Sequence, residues 1–459
     1  MYNFSRTIAA ISTPPGKGGV ALIRVSGEGA FAIAEKCLIP YYGETPLSAR
    51  KPRTAIRVDI RHEEELVDDG IAILYPAPHS YTGEDTVEVT CHGGVLVTHM
   101  VLEALFCAGA QPAEAGEFTR RAFLNGTLSL TEAEAIGNLL EATSAGQVRL
   151  LNKNSRTKLS LAISALHEEM VSLLASLWAT IDYPEEDLAE LTNTELCEKL
   201  HALEAKISRL TATYRTGRAI QEGIETAIVG KPNVGKSSLY NLLCCEDAAI
   251  VTDIAGTTRD LLTRTVALGD VTLKLTDTAG LRDTDDVVEQ IGVSRTREKM
   301  ENAELILAVF DGSSPLGEED LDLLAALSEM QGTKIALINK ADRPLADMQP
   351  IYDTVPHVLK ISAKKGDSSE LASLVKVLFT DGTLTIGDTA IVSQGRQYAS
   401  LKQAEVLVHS TLSALENGLP ADVACSDLEL ALGAIGELDG RAVAEDVVSA
   451  IFSHFCVGK

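Results

Sequence analysis

Five short motifs follow one another in a single order between residues 230 and 364, and they constrain the fold more than any other feature of the chain. The motifs are Gly230-Lys231-Pro232-Asn233-Val234-Gly235-Lys236-Ser237, Gly256-Thr257-Thr258, Asp277-Thr278-Ala279-Gly280, Asn339-Lys340-Ala341-Asp342 and Ser362-Ala363-Lys364. The first matches the phosphate-loop pattern, in which spaced glycines precede a lysine and a serine or threonine. Any one motif could occur by chance, but the ordered set is typical of a guanine-nucleotide-binding domain. It predicts a Ras-like P-loop domain with a doubly wound sheet.

The first motif predicts a phosphate site. Residues 226–229 form a short apolar run that indicates a buried strand, and residues 237–243 indicate the helix that it feeds. Glycines between them let backbone N–H groups approach phosphate oxygens, and the helix N-terminus adds partial positive charge. Lys236 would supply a full charge, and the hydroxyl of Ser237 would bind Mg²⁺.

The fourth and fifth motifs predict that the base is guanine. Asp342 offers two carboxylate oxygens to guanine's two adjacent donors, a pair that adenine lacks. The apolar run 334–338 predicts a strand that presents Asn339 at its carboxyl end, where open α/β sheets bind ligands. Residues 362–364 would offer a backbone N–H to guanine O6. Together these features specify GTP over ATP.

The second and third motifs predict the metal and γ-phosphate contacts. Asp277 would meet Mg²⁺ through water, Gly280 would let the backbone approach the γ-phosphate, and Thr258 would be the second hydroxyl on Mg²⁺. Leu281 occupies the position where small signalling GTPases carry a water-positioning glutamine. Another group must therefore assist hydrolysis, and the acidic stretch 283–289 is either its source or a solvated loop.

Length and composition limit the remaining possibilities. At 459 residues the chain should form two to four domains. A net charge of −25 argues against wide contact with a nucleic-acid backbone, so a basic partner or a local patch would have to bind any nucleic acid. The eight cysteines include no Cys-x-x-Cys pair, and we find neither a membrane-length apolar run nor a signal pattern. We expect a cytoplasmic chain that does not span a membrane.

Periodicity divides the chain into four predicted segments. We predict an N-terminal domain (1–120), a helical domain in two parts (121–219 and 383–459) and a GTPase domain (220–382) inserted between them, because domain termini usually lie close together. Within the first segment, alternation predicts strands at 20–26 and 86–92 and a helix at 95–107. The acidic cluster 63–69 indicates a solvated loop.

Two segments near the chain ends stand apart from these patterns. Thr13-Pro14-Pro15-Gly16-Lys17-Gly18-Gly19 is glycine-rich like a phosphate loop, but it leads into a predicted strand, so we interpret it as a structural turn. The chain ends Phe455-Cys456-Val457-Gly458-Lys459, where a frayed tail would be the default. Cys456 is either a buried small hydrophobe or, given the resemblance described next, a group at a site.

With these two ends included, the chain resembles the MnmE (TrmE) family of tRNA modification GTPases along essentially its full length. Other GTPases share the central motifs but not the ends. The further matching segments are Arg24, Tyr81-Thr82-Gly83-Glu84-Asp85, His92-Gly93-Gly94, Gly116-Glu117-Phe118-Thr119-Arg120-Arg121-Ala122-Phe123-Leu124-Asn125-Gly126 and Asp253-Ile254-Ala255-Gly256-Thr257-Thr258-Arg259-Asp260.

The resemblance implies a homodimer, formed through N-terminal α+β domains that resemble folate-binding domains. It also implies a flavoprotein partner, MnmG (GidA), which holds FAD and uses NADH, in a heterotetramer. Together they would add an aminomethyl or carboxymethylaminomethyl group at C5 of the tRNA wobble uridine. The one-carbon donor would be 5-formyl- or 5,10-methylene-tetrahydrofolate. By resemblance Arg24, Glu88 and Lys459 would contact it, while Thr127 stands where the family usually has lysine.

The resemblance also implies that GTPase domains pair around K⁺, which takes the place of an arginine finger. Glu289 would align the water and act with Lys236 and Thr258. Mg²⁺ would be held by Ser237 and Thr258, and K⁺ by Asn233, Thr252, Ile254 and Thr257. The predicted GTP contacts are Asn233, Val234, Gly235, Lys236, Ser237, Ser238, Thr252, Asp253, Ile254, Ala255, Gly256, Thr257, Thr258, Asp277, Thr278, Ala279, Gly280, Asn339, Lys340, Asp342, Ser362, Ala363 and Lys364.

Three functions are compatible with these motifs. The first is a tRNA-modifying GTPase that works through domain motion, and it is the reading we favour. The second is a GTPase of ribosome maturation, but that class usually carries a basic RNA-binding module, which this acidic sequence lacks. The third is a folate-binding scaffold with a decayed GTPase, and the intact Lys236, Ser237 and Asp342 argue against it.

Overall fold

The computed structural model describes residues 6–182, 193–245, 264–275, 300–381, 384, 389–453 and 455–459. The chain divides into two compact units. One comprises residues 1–137 together with 436–459, and the other comprises residues 138–435.

The first unit is built on a seven-stranded sheet with the order β3-β4-β5-β6-β2-β1-β7. Neighbouring strands are antiparallel except for β1 and β7, which are parallel. A hydrophobic core lies between the sheet and helices α1 and α2. The elements are β1 (Ile8–Ile11), β2 (Val20–Ser26), α1 (Ala30–Cys37), β3 (Leu38–Pro40), a 3₁₀ turn (Leu47–Ala49), β4 (Ile56–His62), β5 (Glu65–Tyr75), β6 (Thr86–His92), α2 (Val95–Cys107), β7 (Gln111–Pro112), α3 (Glu117–Leu124), α4 (Leu130–Leu140) and, near the C-terminus, α15 (Glu445–Ser453).

The predicted strands 20–26 and 86–92 and the helix 95–107 are confirmed with the expected bounds. The prediction of a solvated loop at 63–69 was wrong for residues 65–69, because Glu65–Tyr75 forms strand β5, whereas Glu63 and Glu64 lie in an exposed turn. The acidic side chains there have cross-strand partners: Asp69 accepts from Arg57 of β4, and Asp68 accepts from the backbone N–H of His92. Carboxylates that are paired with groups on neighbouring strands can therefore lie within an extended strand.

The second unit contains a six-stranded sheet with the order β13-β12-β11-β8-β10-β9. All pairs are parallel except the hairpin β9–β10. The central strands are buried along their length, as expected of a parallel sheet covered on both faces. The elements are β8 (Ile224–Val229), α9 (Lys236–Cys245), β9 (Arg264–Leu268), β10 (Val271–Leu275), β11 (Leu305–Asp311), α10 (Glu318–Glu329), β12 (Thr333–Asn339), α11 (Gln349–Thr354), β13 (His357–Lys360) and α12 (Ser369–Phe379).

The same unit also contains helices that precede and follow the sheet in the sequence. Along α6, buried residues recur three or four positions apart, as expected of a helix that packs on one face. By length and composition alone the stretch 145–179 could cross a bilayer, contrary to our expectation, although a packed core helix meets the same criterion. The helices are α5 (Ala145–Leu151), α6 (Lys153–Asp182), α7 (Asn193–Ala212), α8 (Tyr214–Gln221), α13 (Gly395–Glu416) and α14 (Ala421–Asp439).

The chain enters and leaves the GTPase sheet at adjacent positions. The hydroxyl of Thr213 accepts a hydrogen bond from the N–H of Val392 (3.0 Å), and Thr216 accepts one from Asp381 (2.9 Å). A Cβ at Gly217 would lie 1.9 Å from the carbonyl oxygen of Val392, so the two segments touch backbone to backbone. An inserted domain requires such adjacent ends. The segment boundaries at 120, 219 and 382 stay predictions.

Candidate functional site: a nucleotide cradle and a charged N-terminal pocket

The phosphate loop joins β8 to α9 at the point where the sheet order reverses. Such a switch point, outside the carboxyl ends of parallel strands, is where open α/β sheets bind ligands. Gly230 has φ +152°, and a Cβ there would lie 2.4 Å from the carbonyl oxygen of Val309. Gly235 has φ +102°, and its Cβ would lie 2.2 Å from Nδ2 of Asn339. Both positions therefore require glycine.

Lys236 is held against the loop that it follows. Its Nζ donates to the carbonyl oxygens of Gly230 (2.7 Å) and Lys231 (2.9 Å). Ser237 and Ser238 come next in the first turn of α9, and both are exposed, whereas Val234 is fully buried beneath the loop. The loop therefore presents an ammonium, hydroxyl groups and a helix N-terminus on one side.

Lys231 fastens the loop to a neighbouring helix, a contact that sequence reasoning missed. Its Nζ donates to Oδ2 of Asp320 (2.6 Å), which also accepts from the N–H of Gly317 at the start of α10. Asp320 is only 2 % exposed. The sequence signal for it is the acidic first turn of α10, which ordinarily indicates helix capping.

Asn339 connects two of the motifs. Its Nδ2 donates to the carbonyl oxygen of Val234 (2.8 Å), and its Oδ1 accepts from the N–H of Ala363 (3.0 Å). The side chain is buried, so both of its polar ends are satisfied by backbone groups. Asn339 thus sets the spacing between the phosphate loop and the segment 362–364.

Lys340 connects the cradle to the end of β11. Its Nζ donates to Oδ2 of Asp311 (2.6 Å) and to the carbonyl oxygen of Asn233 (3.1 Å). Burial would raise the pKa of Asp311, but the Lys340 ammonium and the hydroxyl and N–H of Ser313 lower it from 3.8 to about 2. Asp311 is therefore charged at neutral pH and keeps Lys340 in place.

Asp342 projects into the opening where a base would lie. Its Oδ1 accepts from the hydroxyl of Ser362 (2.7 Å), the main cause of the lowered pKa of this exposed carboxylate. A cavity of about 500 Å³ adjoins these groups, and its lining is Asn233, Gly235, Ser238, Asn241, Leu242, Asn339, Lys340, Asp342, Arg343, Ser362, Ala363 and Lys364.

In the first unit, Arg24 and Glu88 form a pair between β2 and β6. The two residues are register partners, and Nε and Nη2 of Arg24 both donate to Oε1 of Glu88, at 2.9 and 2.7 Å. The guanidinium carbon also lies 4.8 Å from the ring centre of Tyr81 and 5.6 Å from that of Phe118. Arg24 is thus held by one carboxylate and two aromatic rings.

An ion-pair network, largely buried, lies in the segments next to those two rings. Arg121 has a completely buried side chain and donates to Glu84 (3.0 Å) and Glu117 (2.7 Å), while Arg6 donates to Glu117 (2.9 Å). Tyr81 and Thr119 share a hydrogen bond of 2.9 Å between their hydroxyls. We shall call Arg6, Glu84, Glu117 and Arg121 the buried network. Sequence reasoning quoted the segments that carry these residues but gave them no role.

The C-terminal residues are docked against β1. Ser12 donates its hydroxyl to the carbonyl oxygen of Gly458 (2.9 Å), and Val457 forms an antiparallel bridge with Ala115. Ser12 lies two residues beyond Ala10, which is the register partner of Arg24. A frayed tail, the default interpretation, was therefore wrong. Lys459 is brought to the edge of the sheet that carries Arg24 and Glu88.

Two known protein-domain families match this chain. Residues 7–127 match the TrmE N-terminal domain of GTP-binding proteins, and residues 130–456 match the MnmE helical domain. The chain belongs to the MnmE (TrmE) family of tRNA modification GTPases.

Similar proteins of this family carry the name tRNA modification GTPase MnmE. The one from Enterococcus faecalis is 40% identical over 462 residues, which are 99% of this chain and 98% of that protein. The one from Thermotoga petrophila is 38% identical over 458 residues, 99% of this chain and 100% of that protein. The predicted architecture of N-terminal, helical and GTPase parts in one MnmE-type chain is confirmed.

Several predicted MnmE-type site residues cannot be placed. The predicted residues of the second and third motifs, with their neighbours and Glu289, lie outside the described part of the chain, and their roles stay predictions. They are Thr252, Asp253, Ile254, Ala255, Gly256, Thr257, Thr258, Asp277, Thr278, Ala279, Gly280 and Glu289.

Two further predicted residues can be placed. Cys456 is exposed, so the interpretation of a buried hydrophobe was wrong. Thr127 donates its hydroxyl to the carbonyl oxygens of Ala122 (2.8 Å) and Tyr81 (3.2 Å). Thr127 therefore contacts the loop that contains Tyr81.

Proposed function

We propose that this chain is a K⁺-stimulated GTP hydrolase of tRNA modification. With a flavoprotein partner, it would add an aminomethyl or carboxymethylaminomethyl group at C5 of the wobble uridine. The carbon would come from a tetrahydrofolate derivative. One observation carries the proposal: a guanine-nucleotide cradle shares its chain with a charged pair, Arg24 and Glu88, that lies beside two aromatic rings.

The cradle supports GTP binding through groups that are already in place. Backbone N–H groups of the phosphate loop and the ammonium of Lys236 bind phosphate oxygens, since they point to one side of the loop. Asp342, oriented by the hydroxyl of Ser362, accepts hydrogen bonds from the two adjacent donors of guanine. These groups select a guanine nucleotide and hold it with its phosphates at the start of α9.

The donor set fits hard cations. Asn233 is exposed at the loop apex with φ +61°, and among the described residues its side-chain amide makes no hydrogen bond. The Ser237 hydroxyl is likewise exposed at the first turn of α9. Ser237 and Thr258 would hold Mg²⁺, and Asn233, Thr252, Ile254 and Thr257 would hold K⁺. These ions would offset negative charge on the phosphate oxygens, while Glu289 orients water.

The Arg24–Glu88 pair and its neighbouring rings support a reduced pterin as the ligand. The Glu88 carboxylate can accept hydrogen bonds from the amino and N–H donors of a pterin ring, and Arg24 orients that carboxylate. Tyr81 and Phe118 provide flat apolar faces beside Arg24. Lys459, whose neighbour Gly458 accepts a hydrogen bond from Ser12, would contact the same ligand. When bound, the folate supplies the one-carbon unit.

The test of this proposal combines one deletion with three complementing chains. In cells that lack the gene, mass analysis of tRNA should show wobble uridine unmodified at C5, and the wild-type chain should restore it. Lys236→Ala should restore no modification, and Glu88→Gln should restore little, whereas Lys402→Ala, at an exposed lysine, should restore it fully. Full modification without the gene would overturn the tRNA role.

The cation is tested separately. The purified chain should hydrolyse GTP faster in KCl than in NaCl at equal ionic strength. Equal rates in the two salts would remove K⁺ from the proposal and leave the tRNA role standing.

A further inference from the structure

We infer that Asp270 is a positioning residue that couples the GTPase sheet to helix α5. This inference rests on the proposed function, because it concerns how nucleotide turnover reaches the rest of the chain. The contacts between Asp270 and its neighbours all lie within the second compact unit.

Asp270 lies at the tip of the hairpin formed by β9 and β10. Leu268 and Val271 are register partners, so Gly269 and Asp270 form a two-residue turn, with Gly269 at φ +62°. One carboxylate oxygen of Asp270 contacts the guanidinium of Arg149 on α5, and the other accepts from Nζ of Lys376 on α12 at 2.6 Å. A single carboxylate is thus held by cations from two different helices.

The backbone of the turn is also in direct contact with α5. A Cβ placed on Gly146, in the first turn of α5, would lie 2.2 Å from the carbonyl oxygen of Asp270. No side chain fits between the helix and the turn. Helix α5 is itself anchored, because Ser144 and Gln147 form a capping box and Gln147 Nε2 donates to the carbonyl oxygen of Gln221 (2.9 Å).

The second strand of the hairpin is tied to α8. Thr272 is buried and donates its hydroxyl to the carbonyl oxygen of Ile220 (2.9 Å). Displacing the hairpin along its length would break this bond together with the ion pairs at Asp270. Any movement of the hairpin relative to α5 and α8 would therefore have to break these contacts.

The position of the hairpin in the sequence gives these contacts their functional meaning. Strand β9 begins at Arg264, six residues after Thr258, and β10 ends at Leu275, two residues before Asp277. Thr258 and Asp277 are the predicted metal-facing residues of the nucleotide site. The five paired residues of each strand span about 17 Å. The hairpin is thus a short, hydrogen-bonded element that connects the segments carrying Thr258 and Asp277 in the sequence to α5.

Charge supports the same interpretation. The hydrogen bond from Lys376 and the nearby Arg149 guanidinium keep the pKa of Asp270 below its ordinary value of 3.8, although partial burial opposes them. The carboxylate is therefore charged at neutral pH and the tip stays attached to both helices. Coupling between two sites requires an element whose position both sites bias, and the attached hairpin is such an element.

The test measures amide hydrogen exchange of residues 145–151 in the full chain, with GDP and with a non-hydrolysable GTP analogue. In the wild type, exchange in α5 should differ between the two nucleotides. In Asp270→Asn and in Gly146→Ala the difference should disappear, while the KM for GTP changes by less than about two-fold. Gly433→Ala is the matched control, because a Cβ there meets nothing within 4 Å.

Conservative replacement separates coupling from mere stability. Arg149→Gln should lower wobble-uridine modification in complemented cells about ten-fold, and Arg149→Lys should restore most of it. Thermal unfolding of the two Arg149 variants should match the wild type within about 3 °C, since the Arg149 side chain is half-exposed.

Two results would overturn the inference: nucleotide-independent exchange of α5 in the wild type, or an unchanged difference in both variants. A wild-type chain that fails to restore tRNA modification would instead contradict the proposed function, and the exchange measurement would still decide the coupling.

Discussion

Two glycine-rich loops, residues 13–19 and residues 230–237, look alike in sequence and differ in what they can do. The second leads into helix α9, and its glycines at 230 and 235 each face an atom that a Cβ would approach within 2.4 Å. The first leads into strand β2, and a Cβ on Gly16 or Gly19 would meet nothing within 4 Å. Residues 13–19 lead into a strand as predicted, and their interpretation as a structural turn stays a prediction. A glycine loop indicates a phosphate site only when a helix N-terminus follows it.

The two regions also differ in which groups build the site. Around residues 230–237 the ligand-facing groups are backbone N–H groups, one ammonium and hydroxyls. In the first unit, the loop at 13–19 borders a cavity of about 700 Å³ whose lining is mainly apolar, and the charged groups lie on the strands. The N-terminal site therefore depends on side chains that come together from distant positions.

The largest expected effect is at Gly235. Gly235→Ala should weaken binding of a fluorescent GDP analogue about 1,000-fold, because the added Cβ collides with Asn339 and the residue has φ +102°. The matched variant Gly19→Ala should leave GDP binding unchanged. If both variants bound GDP like the wild type, the proposed difference between the loops would be wrong.

The next largest effect concerns the buried network. Arg121→Met should lower the free energy of unfolding of the first unit by about 3 kcal/mol, because Glu84 and Glu117 would be left without their buried cation. Chemical denaturation followed by circular dichroism would measure it. The control is Arg57→Met, which removes an exposed ion pair and should have a much smaller effect. Equal losses would show that the network adds no stability beyond an exposed pair.

Sequence reasoning was most accurate where the pattern is local. The strand 20–26 and the helix 95–107 were predicted with their bounds, because alternation and helical spacing repeat over neighbouring residues. The GTPase strands were equally clear, since buried parallel strands are continuous apolar runs. Such elements can be recognised without any knowledge of their neighbours.

Contacts between distant residues could not be recovered in that way. Strand β5 was missed because the partners of Asp68 and Asp69 are 24 and 12 residues away. The two rings beside Arg24 come from positions 81 and 118. Asn339 donates a hydrogen bond to Val234, which lies more than 100 residues earlier in the chain. No local pattern encodes these distances, although the family resemblance marked several of the segments.

A smaller effect is expected at the base-reading end of the cradle. Ser362→Ala should weaken GDP binding about five-fold, since Asp342 loses the hydroxyl that orients it, and Ser362→Thr should recover most of the affinity. Ser373→Ala, which removes an exposed hydroxyl on α12, is the control. Titration calorimetry would show both values. An unchanged affinity in Ser362→Ala would mean that Asp342 needs no such support.

The smallest expected effect is a pH dependence of the stability of the first unit, where the site is built from side chains and not from backbone groups. Burial would raise the pKa of Glu117, but the N–H of Glu114 and the guanidinium groups of Arg121 and Arg6 lower it below its ordinary value of 4.5. A carboxylate with a lowered pKa adds stability above its unfolded-state pKa and loses it as the pH falls through the folded value. The first unit should therefore become less stable as the pH falls below about 4.5.

The comparison variant for this dependence is Glu117→Gln. It should be less stable than the wild type at pH 7, and its stability should change less on acidification, because the titrating group is gone. Glu44→Gln, at an exposed position, should follow the wild-type curve. Unfolding curves at pH 7, 5 and 4 would decide the matter. Parallel curves for the wild type and Glu117→Gln would show that the lowered pKa of Glu117 does not contribute to folding.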